Sequence, residues 1–321
     1  MGDLAAWDVH GPVETLRTEL QFVRFRPDGR VLEQEFHNGD GSVSRTRNIF
    51  DDSGQLIETR WQTDSNPAIR QLCSYDDAGR PTGAVTINED GERYKSETCH
   101  YDSNGRKIRI QFPPKLSQRQ KEQIGTALFV AGPGENTITT YFDDHDQPAE
   151  ILFHNPSHVL VRREIFTRDG AGRVLKHEVR PGEGAFQSEN PEHARALRTI
   201  LSQQIGFPIT TYTYDEKGRQ VEKRMRMSGL SEEHTTYVFD DHDNPIEENA
   251  LESSREARMD EQGGLHPTKE TSSERHRRYT YSYDPQGNWT ERIIWSLPQD
   301  SADFPRSAVE RRQITYYSEP S

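Results

Sequence analysis

Two Phe-Asp-Asp-His-Asp segments, beginning at Phe142 and Phe239, carry the densest polar chemistry in the chain. Asp143, Asp144 and Asp146 in the first, and Asp240, Asp241 and Asp243 in the second, place three carboxylates within a single turn. A hard cation such as Ca²⁺ takes about six to eight oxygen ligands, so these turns are the metal candidates. The Asp-x-Asp-x-Asp-Gly spacing of a calcium loop is absent, however, and turn formation accounts for the same composition. His145 and His242 could pair with these carboxylates for proton transfer, but nothing in the sequence supplies groups to tune them on an exposed turn.

Cys73 and Cys99 each stand two residues before an aromatic. In a meander their strands are next-but-one neighbours, so the thiols would lie ~9–10 Å apart, beyond disulfide reach. Two free thiols packing as small hydrophobes are expected. His100 points to the opposite strand face from Cys99, which leaves that thiol without an activating base. No HExxH, GxSxG, CxxC or dinucleotide fingerprint occurs, and Gly132-Pro133-Gly134 lacks the Lys-Ser/Thr of a phosphate loop.

Aromatic side chains are the better functional handle. Tyr212, Tyr237 and Tyr281 recur at one phase of the C-terminal half, with Trp289 and Trp295 nearby. Left exposed, they would stack on sugar rings or anchor a protein partner. As a cross-strand ladder, they would instead hold a sheet together.

The elements that position these residues are written as a repeat. Phe25-Arg-Pro-Asp-Gly-Arg30, Phe50-Asp-Asp-Ser-Gly-Gln55, Tyr75-Asp-Asp-Ala-Gly-Arg80 and Tyr101-Asp-Ser-Asn-Gly-Arg106 step by 25, 25 and 26 residues. Further copies begin at Phe142, Phe166, Tyr214, Phe239 and Tyr283, the one at Phe166 with an extra Ala171-Gly172. The glycine supplies the positive φ of a tight turn, and Asp146 and Asp243 take its place in two copies. Past each turn apolar residues alternate with charged ones. Leu32 and Phe36, Ile57 and Trp61, Ile108 and Phe112, and Val221 and Met225 mark one face, Glu33, Glu58, Arg109 and Glu222 the other. The period predicts roughly 18 antiparallel strands. Flat, they would form a sheet about 90 Å wide with one apolar face bare, so the sheet must curl.

The expected fold is therefore all-β: one domain over 1–321, a curled antiparallel sheet of repeated hairpins with one or two short helical insertions. Insertions fall at about 113–136, 181–208 and 250–275. The second reads as a helix, with Asn190 as N-cap, Pro191 at N1 and a stripe of Ala194, Leu197, Leu201 and Ile205. The first carries Leu116, Ile124 and Leu128 at helical spacing, and the third, Glu252 to Glu274, reads as a mobile loop. The helices are expected to cover the apolar sheet face.

Composition agrees with a sheet wet on one side. Hydrophobic residues are only 31% and mean hydropathy is −0.98, yet 12 Tyr, 13 Phe and 4 Trp are foreign to disordered chains. A net charge of −13 disfavours nucleic acid and anionic membrane surfaces. The short run Arg275-His276-Arg277-Arg278 reads as a solvated strand edge. No run is long and apolar enough for a membrane helix, and Met1 to Gly11 lacks the pattern of a signal peptide.

The repeated [Tyr/Phe]-Asp-x-x-Gly-Arg motif resembles the Rhs/YD-repeat family from about Phe22 to Tyr317, with the insertions outside it. That resemblance implies long winding β-sheets, which in the large toxins of the family close into shells, and a secreted or cell-surface setting. This chain has far fewer repeats than those toxins. Its Asp284-Pro285-Gln286-Gly287-Asn288-Trp289 reads as an ordinary turn rather than the self-cleaving core that ends their shells. The function expected is non-enzymatic: a bacterial β-scaffold that binds a protein or carbohydrate partner without cofactor, Ca²⁺ being the one candidate ion. The alternatives are a structural segment of a longer Rhs-like toxin or cell-envelope protein, and an enzyme with a site built on the insertions.

Overall fold

The computed structural model describes residues 3–64, 66–117, 137–186, 207–227, 231–259, 265–297 and 306–318. Before the first insertion the strands are β1 (Val13–Arg17), β2 (Gln21–Phe25), β3 (Val31–His37), β4 (Val43–Phe50), β5 (Leu56–Thr63), β6 (Ile69–Tyr75), β7 (Pro81–Ile87), β8 (Arg93–Tyr101) and β9 (Lys107–Gln111). Then come β10 (Thr137–Phe142), β11 (Pro148–His154), β12 (Leu160–Arg168) and β13 (Val174–Pro181). The last group is β14 (Ile209–Tyr214), β15 (Gln220–Met227), β16 (Ser231–Phe239), β17 (Pro245–Met259), β18 (Leu265–Tyr283), β19 (Trp289–Leu297), β20 (Arg306–Arg311) and β21 (Gln313–Tyr316).

All 21 strands belong to one antiparallel sheet. Each pairs with its chain neighbour from β1 through β20, as hairpin turns demand. Only Arg312 separates β20 from β21: the first half of this strand lies on β19, and the second on β1 with Leu16 opposite Ile314. The sheet thus curls into a nearly closed barrel with a staggered seam. A barrel removes the sheet edges that a flat 21-stranded sheet would expose.

The strand alternation divides the side chains between two walls. Val23, Phe25, Thr59, Ala84, Cys99, Thr140, Phe142, Thr210, Thr235 and Ala250 are buried and share the face of the turn aromatics. Curling crowds side chains on the concave side, so this face is the inner wall. Arg45, Arg47, Thr211, Arg224 and Val238, on the opposite face, are exposed. Among the described residues, the one buried apolar cluster lies at the seam: Val9, Val13, Leu16, Val23, Phe25 and Val31, with Leu4, Trp7, Ile314 and Tyr316 packed against it. Trp7 comes from a short 3-10 turn, Asp3–Trp7, and meets Phe25 edge-on at 6.5 Å.

Four expectations are corrected. The third insertion is not a loop: β17 and β18 pair from Glu247–Arg278 out to Met259–Leu265 as a long hairpin arm. Its Ser, Thr, Glu and Arg content hid strands that are polar on both faces and so lack the apolar alternation that marks a half-buried strand. The basic run Arg275–Arg278 is not an edge, because β18 has β17 on one side and β19 on the other there. The repeat read from Phe166 is turned by Asp169-Gly170-Ala171-Gly172-Arg173, so Arg168, not Phe166, occupies the aromatic position. Finally, β9 is inverted. In eight of the nine repeats a β-bulge shifts the register after the turn, as where Arg24 faces Glu33 but Phe25 faces Val31. Tyr101 faces Lys107 and His100 faces Ile108 with no such shift. One residue of slip exchanges the faces of a strand, so Lys107 and Arg109 line the inner wall while Ile108 and Ile110 face outward. The expected helices at about 116–130 and 190–206 fall, apart from Leu116 and Ser117, outside the described residues.

Candidate functional site

Every residue of the turn motif has a structural task. The Asp after the aromatic accepts backbone N–H bonds from two and four residues on, as Asp76 does from Ala78 (3.0 Å) and Arg80 (2.8 Å). Its second oxygen takes the Arg side chain four residues on, in the pairs Asp76–Arg80, Asp102–Arg106, Asp169–Arg173 and Asp215–Arg219. These bonds hold the carboxyls of Asp76 and Asp102 below the usual range. The same Arg then lies over the aromatic of the next repeat: Arg30 on Phe50 at 4.7 Å, Arg80 on Tyr101 at 4.6 Å, Arg173 on Tyr214 at 5.0 Å. In three of the four Tyr copies the hydroxyl donates to a carbonyl of the preceding repeat. Tyr75 reaches Leu56 O, Tyr101 reaches Pro81 O and Tyr214 reaches Val174 O. Arg168 does the same for Pro148 O at 2.9 Å, which explains how an Arg replaces the aromatic.

The twin acidic turns follow this pattern. Asp143 accepts from the backbone of His145 and Gln147, and Asp240 from that of His242 and Asn244. Asp146 and Asp243 stand at the glycine place with φ of 56° and 65°, and pair with Lys107 and Arg219. Tyr283 donates to Asp240 as well, and His242 stacks on the Tyr283 ring at 4.0 Å. Asp144 and Asp241 extend from the turns without a hydrogen bond to the Asp cluster. Among the described residues no three His, Cys, Asp or Glu side chains converge on a point that could hold a metal ion. Cys73 and Cys99 are free thiols, and burial pushes Cys99 up to about 11.

The five aromatics singled out above separate. Tyr212 is half-buried on the inner wall opposite Lys223. Tyr237 faces Glu248 and touches Phe239 at 6.4 Å. Tyr281 faces Arg292 and lies 5.9 Å from Tyr283 and 6.2 Å from Trp289, its hydroxyl donating to Pro245 O. Burial pushes that phenol up to about 12. Trp295 points to the outer wall, opposite Arg278. Trp289 is not exposed: only 4% of it is accessible, its Nε1 donates to Asp8 Oδ2 at 2.9 Å, and the Arg312 guanidinium lies 3.4 Å from its ring centre.

The structure adds partners that sequence reasoning missed. On the inner wall of β16 to β20, Glu248 takes the Tyr279 hydroxyl at 2.9 Å and Arg275 at 3.3 Å, and Arg292 pairs with Glu310 at 2.5 Å. The even spacing of Tyr279, Tyr281 and Tyr283 was the available signal for this row. At the seam Arg312 donates to Asp8 O at 3.0 Å and is largely enclosed; burial, only partly offset by Asp8, brings it down to about 10. Asn288 clamps His10 from both sides of its peptide, at 2.7 and 2.9 Å.

No family model matches the chain, and no curated protein matches it. Among solved structures, a porin-like protein from Bacteroides uniformis is similar over 96% of this chain and 99% of its own, at 9% identity and a TM-score of 0.32. The Tc holotoxin pore of Photorhabdus luminescens is similar over 86% of this chain and 18% of its own, at 13% identity and a TM-score of 0.20.

Proposed function

We propose that this protein is a non-enzymatic repeat scaffold of the Rhs/YD type whose inner wall binds a protein or carbohydrate partner. The observation that carries this reading is the row on β16 to β19. Half-buried Tyr237 and Tyr281, with buried Tyr279, stand among Glu248, Arg275 and Arg292 on a concave surface. Aromatic faces beside paired carboxylates and guanidiniums suit the apolar and hydroxyl faces of a sugar, or the side chains of a peptide. The motif carboxylates and arginines are meanwhile committed to turns, which supports a scaffold over a catalyst. Pairing of β21 with β1 supports a barrel over a tile of a longer ribbon, because a tile passes its last strand to the next repeat.

A glycan-array screen of the full chain, with and without Ca²⁺, tests this directly. Selective binding that weakens at least tenfold in Tyr237→Ala is expected. Binding that appears only with Ca²⁺ and disappears in Asp144→Asn or Asp241→Asn would move the site to the twin acidic turns. Uniform silence on glycans leaves the protein partner, read by crosslinking from a cysteine placed at Tyr237.

A further inference from the structure

The barrel wall has a notch at its seam. Strands β1 and β2 have five residues each, and their turn closes early, with Thr18 N donating to Gln21 O at 2.8 Å. Strand β3 runs on to His37, whose N–H bonds Leu20 O, and β20 starts six residues before the seam residue Arg312. Among the described residues, β20 is paired along one edge only, by β19. Its other edge therefore looks across the short β1–β2 turn with backbone groups that have no strand to meet. A recess of about 370 Å³ occupies this gap, lined on the two sides by Leu20 and Phe36 and by Val309 and Arg312.

The lining has a definite chemistry. Leu20 is 56% and Phe36 37% exposed, a high value for large apolar side chains beside an open strand edge. The charges at the notch are largely committed: Glu310 to Arg292, and Arg311 to Glu291 at 2.8 Å. Two charges are exceptions: Glu19 is exposed on the β1–β2 turn without an ion pair among the described residues, and Arg312 is enclosed. The Arg312 side chain lies against Trp289, while the nearest carboxylate, Asp8, is 3.9 Å away and itself bonded to the Trp289 indole. An enclosed guanidinium whose one carboxylate lies at the limit of ion-pair range and is shared with the indole still favours an incoming anion.

We propose that the notch takes an extended peptide segment of a partner protein, which adds as a strand to the open edge of β20 and sets a carboxylate against Arg312. An extended chain is what an open edge selects, because its own N–H and C=O groups complete the ladder. Six residues of β20 match a strand of roughly 20 Å. Alternate side chains of that strand meet Leu20 and Phe36, which calls for an apolar–polar alternation with one acidic residue. The recess shares Arg292 with the tyrosine row of the inner wall, but its occupant is set by the open edge of β20 and does not depend on the function assigned to that row.

Panning a random 12-residue peptide library against the full chain tests the proposal. Enrichment of alternating apolar sequences with one Asp or Glu is expected. The strongest peptide is then made in its normal form and with every second amide N-methylated, and affinities are read by fluorescence anisotropy. N-methylation is expected to abolish binding, and Leu20→Glu to weaken it at least tenfold. Changing the peptide's Glu to Gln tests the Arg312 contact without disturbing the seam, with an expected loss of about tenfold. Hydrogen exchange locates the bound peptide: protection of Arg306–Arg311 is expected. Failure of any sequence to enrich, equal binding of the N-methylated peptide, or protection confined to β16 and β18 would overturn the proposal; the last result would favour the inner wall instead.

Discussion

Replacing Phe25 by Ala would report on how the barrel is held shut. Phe25 is fully buried, touches Trp7, and shares a cluster with Val9, Val13, Leu16, Val23 and Val31. Its carbonyl accepts the Tyr317 hydroxyl at 2.6 Å, so both flanks of the seam converge on it. Truncating a buried Phe costs about 3–5 kcal/mol. With an unfolding entropy of about 2 cal/mol/K per residue, a chain of this length loses about 4–7 °C in Tm. Phe50 holds the equivalent place one repeat on, but it is only half-buried and is covered by the Arg26 and Arg30 guanidiniums at 4.5 and 4.7 Å. Phe50→Ala should lose about half as much. Differential scanning calorimetry gives both shifts, and hydrogen exchange at Gln313–Tyr316 shows whether the seam opens first. Equal shifts in the two variants, or unchanged protection of β21 in Phe25→Ala, would refute the argument that the N-terminal cluster closes the barrel.

Glu58 is buried between Arg60 and Arg70, whose hydrogen bonds bring it down to about 2 from 4.5. A depressed carboxyl contributes stability that is present above its unfolded value and lost as pH falls from about 5 towards 2. Acid unfolding followed by circular dichroism should therefore be shallower over that window in Glu58→Gln, which starts from a lower stability at neutral pH. Gly83 has a φ of +150°, and a Cβ there would run into the Glu97 carbonyl oxygen. Gly83→Ala should cost about 2 kcal/mol or more in urea unfolding. Gly91→Ala, at φ +80° with open space around it, should cost about 1 kcal/mol. If turn geometry explains Asp146, Asp146→Gly should stay within about 0.5 kcal/mol of the parent while Asp146→Val loses more than 1 kcal/mol. A Ca²⁺-dependent rise in Tm that Asp146→Gly abolishes would instead make the turn a cation site.

The hairpin repeat was legible because each motif residue serves the backbone locally: Asp accepts from the turn, and Gly supplies its positive φ. What joins one repeat to the next was less visible. The stacking of Arg30 on Phe50, and the reach of Tyr214 to Val174 across 40 positions, follow from strand order rather than spacing. Arg168 moved the anchor of its repeat out of sight by replacing the aromatic with a guanidinium that makes the same hydrogen bond. The inversion of β9 depends on one missing bulge after Tyr101, whose motif reads like its neighbours. Of the aromatics singled out in the sequence, Tyr212, Tyr237 and Tyr281 share the inner wall, as one strand phase requires. The burial of Trp289 was not legible because its cover, Asp8 and Arg312, comes from 281 residues before it and 23 after it.

Closure by β21 on β1 joins residues about 300 positions apart, whereas every other ladder among the described residues joins strands consecutive in the chain. On a ribosome adding roughly 5–20 residues per second, β1 waits about 15–60 s for its partner to be made. During that interval its outer edge is an open template for any passing strand. The Asp3–Trp7 turn and Val9 emerge first, and Phe25 and Val31 follow within two dozen residues, so this side of the apolar cluster can assemble early. A nascent chain would then carry its fastening ready-made and need only the last strand to engage it.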